Sequence, residues 1–355
     1  MRLSLIALAI AAAALAAEPQ YPFWDGRESI ESYAKKVNLP PTKSFDLGNG
    51  VALDLVLIPA GQFIMGTPIP PDPTAKTEDA AVLICIGGAA VLTALLLLVD
   101  GMIRMRKLSF SLRWLLFATF SCGLFIAGFA RLYLASEQDR RYAEAMSLYD
   151  QLPASEKPAH TETIAKPFYM GKFTVTQAQF EALVGINPSR FKGAQQPVEQ
   201  VTWLHASNFC YFLTAQFKSQ LPAHASFQLP TEPQWEFACR AGTTNTFNTG
   251  NTISTDEANF NGSGPSLYLR GKGIFRDKTT PVGSFKPNAF GLYDMHGNVY
   301  QWCQLNSYTS RSESCPVRGG CWGADPKLCR SAFSDSYPAG QVHHGIGFRV
   351  CLSCP

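Results

Sequence analysis

The feature that most constrains the fold is a series of blocks rich in Gly, Trp, Cys and Arg in the C-terminal part of the chain. LPTEPQWEFACRAG occupies residues 229–242, and PVGSFKPNAFGLYDMHGNVYQWC occupies 281–303. VRGGCWGADPKLCRSAF follows at 317–333 and GIGFRV at 345–350. Such a series in one fixed order is too specific to arise from composition. It therefore indicates one particular fold.

These blocks resemble the formylglycine-generating enzyme family, also called sulfatase-modifying factors. The resemblance extends to FDLGNGVALDLVLIPAGQFIMGTP at 45–68 and to HTETIAKPFYMGKFTVTQAQFEALVGINPSRFKG at 160–193. It implies an α+β, loop-rich domain related to C-type lectins. It also implies an enzyme that oxidises a substrate cysteine to formylglycine, using copper held by two cysteines.

Composition excludes one class of partner. The chain has 30 basic and 27 acidic residues among 355, a net charge of +3 that is spread evenly. A nucleic-acid-binding surface needs a concentrated positive charge, so we expect no nucleic-acid partner.

The N-terminus has the pattern of a secretory signal peptide over residues 1–17. Arg2 precedes an apolar run of Leu, Ile and Ala, and the small residues Ala14 and Ala16 form a cleavage site. The alternative is an uncleaved anchor. The run is short and rich in alanine, which favours cleavage.

Two further apolar runs, 80–99 and 114–135, are long enough to cross a bilayer. They predict a transmembrane hairpin, with a buried core hairpin as the alternative. The connecting loop, 100–113, carries four basic residues, and basic loops stay cytoplasmic. We therefore expect a membrane protein whose globular domain lies on the outer, periplasmic or extracellular side.

These segments predict the following domain organisation. A signal peptide (1–17) precedes the lead-in and first strands of the domain (18–70). The transmembrane hairpin with its linkers (71–158) is inserted next, and the remainder of the domain follows (159–355). Long insertions are tolerated because the entropy of loop closure grows slowly with length.

Three helix starts are predicted by capping residues. Thr176 is followed by Gln179, and Thr231 by Gln234, each pair with the spacing of a capping box. Thr202 precedes a run of apolar residues at helical spacing. From residue 243 the chain is rich in Gly, Asn, Ser and Pro, which indicates loops.

Cysteine usage favours disulfides, because an exported chain retains them. Cys85 and Cys122 lie in the predicted spans, and eight other cysteines lie in the exported part. The resemblance implies two specific bonds, Cys239–Cys329 and Cys210–Cys351. With Cys329 in that role, the family's two copper cysteines have no counterparts, which makes a copper cofactor doubtful.

Cys321 is the candidate catalytic residue, since it follows Gly319-Gly320 where catalytic members usually carry Ser. A reactive thiolate needs a neighbour that lowers its pKa, and Arg318 and Lys327 are candidates. The alternative is a disulfide with Cys303 or Cys315.

Calcium is the other cofactor that the resemblance implies. One site has Gln301 where the family has an acidic ligand, and the other has Gly273 where an aspartate is expected. Turns held by hydrogen bonds of Asp294 and Asn298 are the alternative reading of the first site. The candidate ligands at the two sites are Asp294, Gly297, Val299, Gln301, Asn259 and Phe260.

Three functions remain open from the sequence. The first is a membrane-tethered cysteine oxidase, and the second is a lectin-like binding module for an unknown protein, peptide or glycan ligand. The third is a structural component of an envelope complex. The adjacent His343 and His344 predict an exposed loop more than a metal site, since two imidazoles need a third ligand. The missing cysteine pair favours the binding module over the oxidase.

Overall fold

The computed structural model describes residues 21–69, 133, 136–147, 149–153, 156–305 and 313–354. Its helices and strands alternate with long loops, and the predicted α+β, loop-rich fold is confirmed. The labelled helices are Ile30–Lys36 (α1), Gln177–Val184 (α2), Trp203–Gln216 (α3) and Glu232–Arg240 (α4). The strands are Thr42–Asp46 (β1), Ala52–Ile58 (β2), Gly61–Met65 (β3), His160–Ile164 (β4), Phe168–Gly171 (β5), Phe227–Gln228 (β6), Tyr300–Trp302 (β7), Ser314–Arg318 (β8), Ser334–Pro338 (β9), Ile346–Phe348 (β10) and Cys351–Ser353 (β11).

The largest sheet has the strand order β1-β2-β5-β11-β6, and its neighbouring strands are antiparallel. Strand β2 shows why this sheet can be buried on both faces. Leu55 and Leu57 belong to one cluster of the hydrophobic core, whereas Val56 and Ile58 belong to another. Successive side chains on a strand point to opposite faces, so the sheet separates the two clusters.

The second sheet, in the order β10-β7-β8-β9, positions the segment that contains Cys321. Strands β7 and β10 are parallel, and β8 pairs antiparallel with both β7 and β9. The glycine pair 319–320 follows β8 directly, and a short 3-10 helix, Pro326–Cys329, precedes β9. The candidate segment is thus a loop that connects two paired strands.

The predicted helix starts at Thr176, Thr202 and Thr231 are confirmed. Each threonine side chain accepts a hydrogen bond from the backbone amide three residues later, and the third residue reaches back to the cap. These reciprocal bonds satisfy two backbone donors that a helix terminus otherwise leaves open.

The stretch from residue 241 to residue 299 contains isolated bridges but no labelled helix or strand. Side-chain amides take over part of the backbone hydrogen bonding there. Asn298 accepts from the Thr280 amide at 2.9 Å and donates to the Thr280 carbonyl at 3.0 Å. Asn288 donates to the carbonyl of Ala238 at 2.7 Å, which ties the loops to α4. Buried backbone groups need such partners wherever regular structure is absent.

Buried arginines form a second set of ties. The Arg318 guanidinium donates to Glu236 at 2.8 Å and to the Ala332 carbonyl at 2.8 Å. The second oxygen of Glu236 accepts from Arg240 and from the Gly66 amide, both at 2.9 Å. Arg330 and Arg349 are buried as well: Arg330 pairs with Glu156, and Arg349 donates to the Gly171 carbonyl.

The two ends of the predicted insertion lie together. Strands β3 and β4 pair from Gly61 with Ile164 to Met65 with His160. Just beyond them, the Thr67 amide donates to the Glu156 carbonyl at 3.0 Å, and Arg330 binds both carboxylate oxygens of Glu156 at 2.6 and 2.8 Å. The chain divides into one unit of residues 1–67 with 153–355 and another of 68–152. The finer domain boundaries stay a prediction.

The predicted membrane partner requires a correction. Among the residues that the structure describes, no helix is both long enough and apolar enough to cross a membrane, which is at odds with two spans. The predicted spans, 80–99 and 114–135, lie outside those residues except for Tyr133. The helical segment that follows, 136–147, is charged, with Glu137 bonded to Arg140 at 2.9 Å and to Arg141 at 3.1 Å.

We expect Glu156→Gln to lower the free energy of unfolding by about 3–5 kcal/mol, because it leaves the buried Arg330 charge without its anionic partner. Glu162→Gln is the matched control. Glu162 contacts the exposed His160, so its loss should cost at most about 0.5 kcal/mol. Urea unfolding of the two variants measures both values. Equal stability of the two variants would contradict this role for Glu156.

Candidate functional site

The candidate site begins at Gly319 and Gly320, where the backbone has positive φ angles of 94° and 76°. A Cβ atom on Gly320 would lie 2.4 Å from the Cys329 sulfur, and one on Gly319 would lie 3.0 Å from the Trp235 ring. Only glycine allows both this conformation and this close approach. The pair therefore brings the backbone immediately before Cys321 against the buried Cys329 side chain.

Cys321 is only 7 % exposed. Burial raises the pKa of its thiol to about 11, although the backbone amides of Gly323 and Ala324 oppose this increase. Neither predicted neighbour activates the thiol: Arg318 is committed to Glu236 and to backbone carbonyls, and the amides, not Lys327, are the groups that lower the pKa. At neutral pH the thiol is therefore protonated and weakly nucleophilic.

Within the described ranges, none of the eight cysteines is bonded to another in this structure. The Cys239 sulfur lies 3.7 Å from the Ser331 hydroxyl and 3.8 Å from a His296 ring nitrogen. Burial and the neighbouring Cys321 hold the pKa of Cys329 well above its ordinary value. Burial, Cys210 and Cys303 do the same for the pKa of Cys351.

The bonds Cys239–Cys329 and Cys210–Cys351 stay predictions. The electrostatic influence of Cys210 on Cys351 places these two thiols in one neighbourhood. The same argument places Cys329 near Cys321, which makes a Cys321–Cys329 pair a competing arrangement. The alternatives for Cys321, a bond with Cys303 or Cys315, also stay predictions.

Beside Cys321 lies a ladder of stacked rings formed by Phe275, Trp322, His344 and His343. The ring centroids are 5.9 Å apart for Phe275 and Trp322, 5.4 Å for Trp322 and His344, and 4.3 Å for the two histidines. Phe191 packs edge-on against Trp322 at 5.4 Å. Phe275 and His343, at the two ends of the ladder, are exposed, whereas Trp322 between them is 8 % exposed and anchors it.

His343 lies close to the Cys321 thiol. A Cβ atom on Gly345 would be 3.0 Å from the Cys321 sulfur and 3.1 Å from His343 Nδ1, so these two atoms lie within the sum of those distances, 6.1 Å. However, Nδ1 already accepts a hydrogen bond from the Gly345 amide at 3.0 Å. Burial and His344 lower the pKa of His343. The imidazole is therefore neutral, and its acceptor nitrogen is not available to take the thiol proton.

No group of three or more His, Cys, Asp or Glu side chains that could hold a metal ion occurs in the described part of the chain. The adjacent histidines stack on each other and on Trp322, and His343 is exposed. A copper ion of this kind needs two neighbouring, accessible thiolates. Cys321 is only 7 % exposed and Cys329 is fully buried, so these two thiols do not fit that need.

At the first predicted calcium site, the amide side chain of Gln301 stands where the family has an acidic ligand. Gln301 Nε2 donates to the Asp294 carbonyl at 3.0 Å. Gln301 Oε1 accepts from the Trp235 indole at 2.8 Å and from Arg349 at 3.0 Å. An amide N–H thus stands against the Asp294 carbonyl, so this geometry does not fit a calcium ion bound there.

The second predicted calcium site is held by main-chain contacts. The Asn259 carbonyl accepts from the Asn298 amide at 2.7 Å, and a Cβ atom on Gly297 would lie 2.3 Å from that carbonyl. Phe260 is fully buried in the core. Asn259 Oδ1 is buried without a partner, but Gly273 supplies no carboxylate beside it. One neutral oxygen is a poor substitute for the carboxylates that calcium prefers.

Several residues that organise the site were not predicted. The sequence does indicate a role for Glu236, since a carboxylate between Trp235 and Phe237 on a helix must be paired if it is buried. The sequence gives no such indication for Phe191 and Phe275, because each lies in a polar, loop-forming stretch. Their packing on Trp322 depends on the tertiary fold.

The comparison with protein families decides the class of the domain. The sequence profile of the sulfatase-modifying factor enzyme 1-like domain matches residues 134–354, more than half of the chain. The chain belongs to this family. This membership confirms the predicted sulfatase-modifying-factor domain.

Several curated relatives of this sulfatase-modifying-factor protein match parts of it. "Chaperone protein LppX" of Paenibacillus barcinonensis is 29 % identical over 52 % of the chain and 80 % of the relative. The formylglycine-generating enzyme of Mycobacterium tuberculosis is 35 % identical over 30 % of the chain and 36 % of the enzyme. The "inactive C-alpha-formylglycine-generating enzyme 2" of Bos taurus is 30 % identical over 36 % of the chain and 38 % of that protein. The chain therefore spans little more than a third of the length of the last two.

Two solved structures share the fold. PvdO from Pseudomonas aeruginosa has a TM-score of 0.54 at 21 % identity and covers 89 % of the chain and 99 % of its own length. Treponema denticola variable protein 1 has a TM-score of 0.53 at 20 % identity, with 88 % and 99 % coverage. At such identities the likeness shows the fold alone. With the family match, it confirms the C-type-lectin-like fold.

We expect Cys321 to react with iodoacetamide roughly a hundredfold more slowly than free cysteine at neutral pH, because its pKa of about 11 leaves little thiolate. The rate should rise about tenfold per pH unit between about pH 7 and pH 9. Timed labelling of the reduced chain, followed by mass spectrometry of the peptide that contains Cys321, measures it. A rate that levels off below about pH 8 would show an activated thiolate instead.

Proposed function

We propose that this sulfatase-modifying-factor domain has lost the family's copper-dependent cysteine oxidation and binds a protein or peptide ligand. The observation that carries the proposal is the state of Cys321: it is a buried, protonated thiol, and Cys329 is fully buried as well. Copper chemistry of this family needs two thiolates beside the substrate sulfur. A displaced ligand costs orders of magnitude in rate, because catalysis depends on exact placement of the reacting groups.

The ring ladder is the surface that we propose for ligand binding. Phe275 is exposed at one end of the ladder. Ile274, next to Phe275 in sequence, and Val342, next to His343, are each 52 % exposed. Aromatic side chains held rigidly by packing are typical anchors of binding interfaces. The relative that is named a chaperone covers half of this chain and supports a binding role. The relative that is named inactive supports loss of the oxidase activity.

A second candidate is an oxidase that uses Cys321 and Cys329 as a displaced copper pair. The effect of Cys321 on the pKa of Cys329 supports it, because such an effect acts only between nearby groups. Against it stand the burial of both sulfurs and the engagement of His343 Nδ1, which already accepts from the Gly345 amide. Glycan ligands are the alternative for the binding module.

The oxidase question has a direct test. We expect the copper-loaded full chain, incubated with oxygen and a sulfatase-type cysteine peptide, to form no aldehyde above the background without protein. The Mycobacterium tuberculosis formylglycine-generating enzyme serves as positive control. Aldehyde that disappears in Cys321→Ser would establish the second candidate and refute loss of activity.

The binding question is tested by selecting peptides from a random library on the full chain. We expect the selected peptides to lose at least about tenfold in affinity for Phe275→Ala, the size of effect typical of a central aromatic anchor. Leu267→Ala is the matched control, since Leu267 is 71 % exposed but belongs to no ring contact of the ladder. Equal affinity for both variants, or selection of no peptide, would refute this surface.

A further inference from the structure

The ring ladder ends in two adjacent imidazoles that stack on each other. The ring centroids of His343 and His344 are 4.3 Å apart with 28° between the ring planes, and His344 lies against Trp322 at 5.4 Å. His343 is exposed and His344 is half-buried, so both rings can exchange protons with solvent. Histidine is the side chain whose ordinary pKa lies closest to neutral pH. This histidine pair is therefore the part of the ladder that mild acid can charge.

The main chain of the histidine pair is fixed on two sides. The Gln200 amide donates to the His343 carbonyl at 3.2 Å, and the Trp322 indole donates to the His344 carbonyl at 3.2 Å. Neither bond involves an imidazole nitrogen. A response to protons must therefore come from the rings and not from the backbone that carries them.

The contacts of His343 require an uncharged ring. Its Nδ1 accepts a hydrogen bond from the Gly345 amide at 3.0 Å. A protonated imidazole carries a hydrogen on both nitrogens, so two donors would then face each other across this contact. Protonation therefore breaks the bond and drives the ring from the position that it holds in the ladder.

The surrounding charges also oppose protonation. Burial and His344 lower the pKa of His343. Burial and the charge of Arg190 lower the pKa of His344, and the carboxylate of Asp277 offsets only part of this decrease. The Arg190 guanidinium is held beside the ladder, because its centre lies 5.4 Å from the centre of the Phe191 ring. A lowered pKa means that the stacked form is stable above about pH 6.5 and loses stability as the pH falls below that value.

Other charged groups on the neighbouring segments are engaged elsewhere. The Lys192 ammonium donates to the Asn187 carbonyl at 2.9 Å, and Glu199 accepts from the Phe191 amide at 2.8 Å. The Arg276 guanidinium donates to the Thr255 carbonyl at 2.8 Å. Lys278, on the segment that carries Phe275, is exposed and adds a further positive charge. These neighbours supply no carboxylate besides Asp277 that lowers the cost of charging the pair.

We propose that the histidine pair makes the ring ladder sensitive to acid: at neutral pH it holds Trp322 and Phe275 in place, and protonation separates the rings and releases the bound ligand. The conformational step depends on the contacts above, whereas the release of a ligand rests on the proposed binding function. Two like charges on rings only 4.3 Å apart repel each other, and the charge of Arg190 adds to the repulsion.

The conformational step is tested without a ligand. The indole N–H signal of Trp322 is assigned with Trp322→Phe and followed by NMR of the full chain as the pH falls from about 8 to about 4.5. The double variant His343→Gln, His344→Phe keeps an acceptor for the Gly345 amide and a ring against Trp322, but neither side chain titrates. We expect a wild-type transition with a midpoint below about pH 6.5, which the double variant lacks. His160→Gln, which removes an exposed histidine outside the ladder, is the matched control and should titrate like wild type.

The release step is tested with the peptides selected on the full chain. We expect the wild type to lose at least about tenfold in affinity between about pH 7.5 and about pH 5, and the double variant to lose less than about threefold. Peptides that need Phe275 but bind the wild type equally at both pH values would refute the release step and leave the binding function intact. Selection of no peptide would refute the binding function instead, and the Trp322 titration would then decide the conformational step alone.

Three results would overturn the conformational step. They are a Trp322 signal without a transition, a midpoint at or above about pH 6.5, and the same transition in the double variant. If the double variant does not fold, the imidazole carbon signals of wild-type His343 and His344 replace it. A Trp322 midpoint that differs from the midpoints of both imidazoles would then refute the proposal.

Discussion

The domain depends on buried side chains that satisfy backbone groups where regular structure is missing. Arg349 donates to the carbonyls of Gly171 and Tyr293, which are far apart in sequence, and Arg318 donates to the Ala332 carbonyl. Glu236 and Glu156 compensate the charges of Arg318 and Arg330. A loop-rich fold cannot leave its buried carbonyls without donors. Because a guanidinium offers five donors in a fixed plane, one arginine can fix several loops at once.

This arrangement explains the state of the candidate site. Arg318 ends β8 immediately before the glycine pair, and Arg330 follows Cys329 immediately, so both ends of the segment are held by buried ion pairs. The arginine nearest to Cys321 in sequence is therefore used for structure and does not lower the pKa of the thiol. Gln301 acts in the same way, since its amide joins Trp235, Arg349 and the Asp294 carbonyl where the family's calcium ligand is expected.

The sequence predicted those parts of the fold that depend on local patterns. The capping threonines follow from their spacing, and the loop-rich stretch after residue 243 follows from its composition. Contacts between residues far apart in sequence could not be predicted from it. Nothing local indicates that Glu156 meets Arg330, 174 residues away, or that Phe275 stacks on Trp322. The prediction of a membrane partner was wrong, since no described helix is long and apolar enough to cross a membrane. That prediction depended on the hydropathy of the sequence.

We infer that Cys321 and Cys329 do not form a copper site. The most direct measurement is Cu(I) stoichiometry of the purified full chain against a competing chelator, together with a count of free thiols, for wild type and Cys321→Ser. The account predicts that the two proteins retain the same amount of copper, because a single buried thiol binds a soft ion weakly. One equivalent of tightly held copper in the wild type that is lost in Cys321→Ser would contradict it.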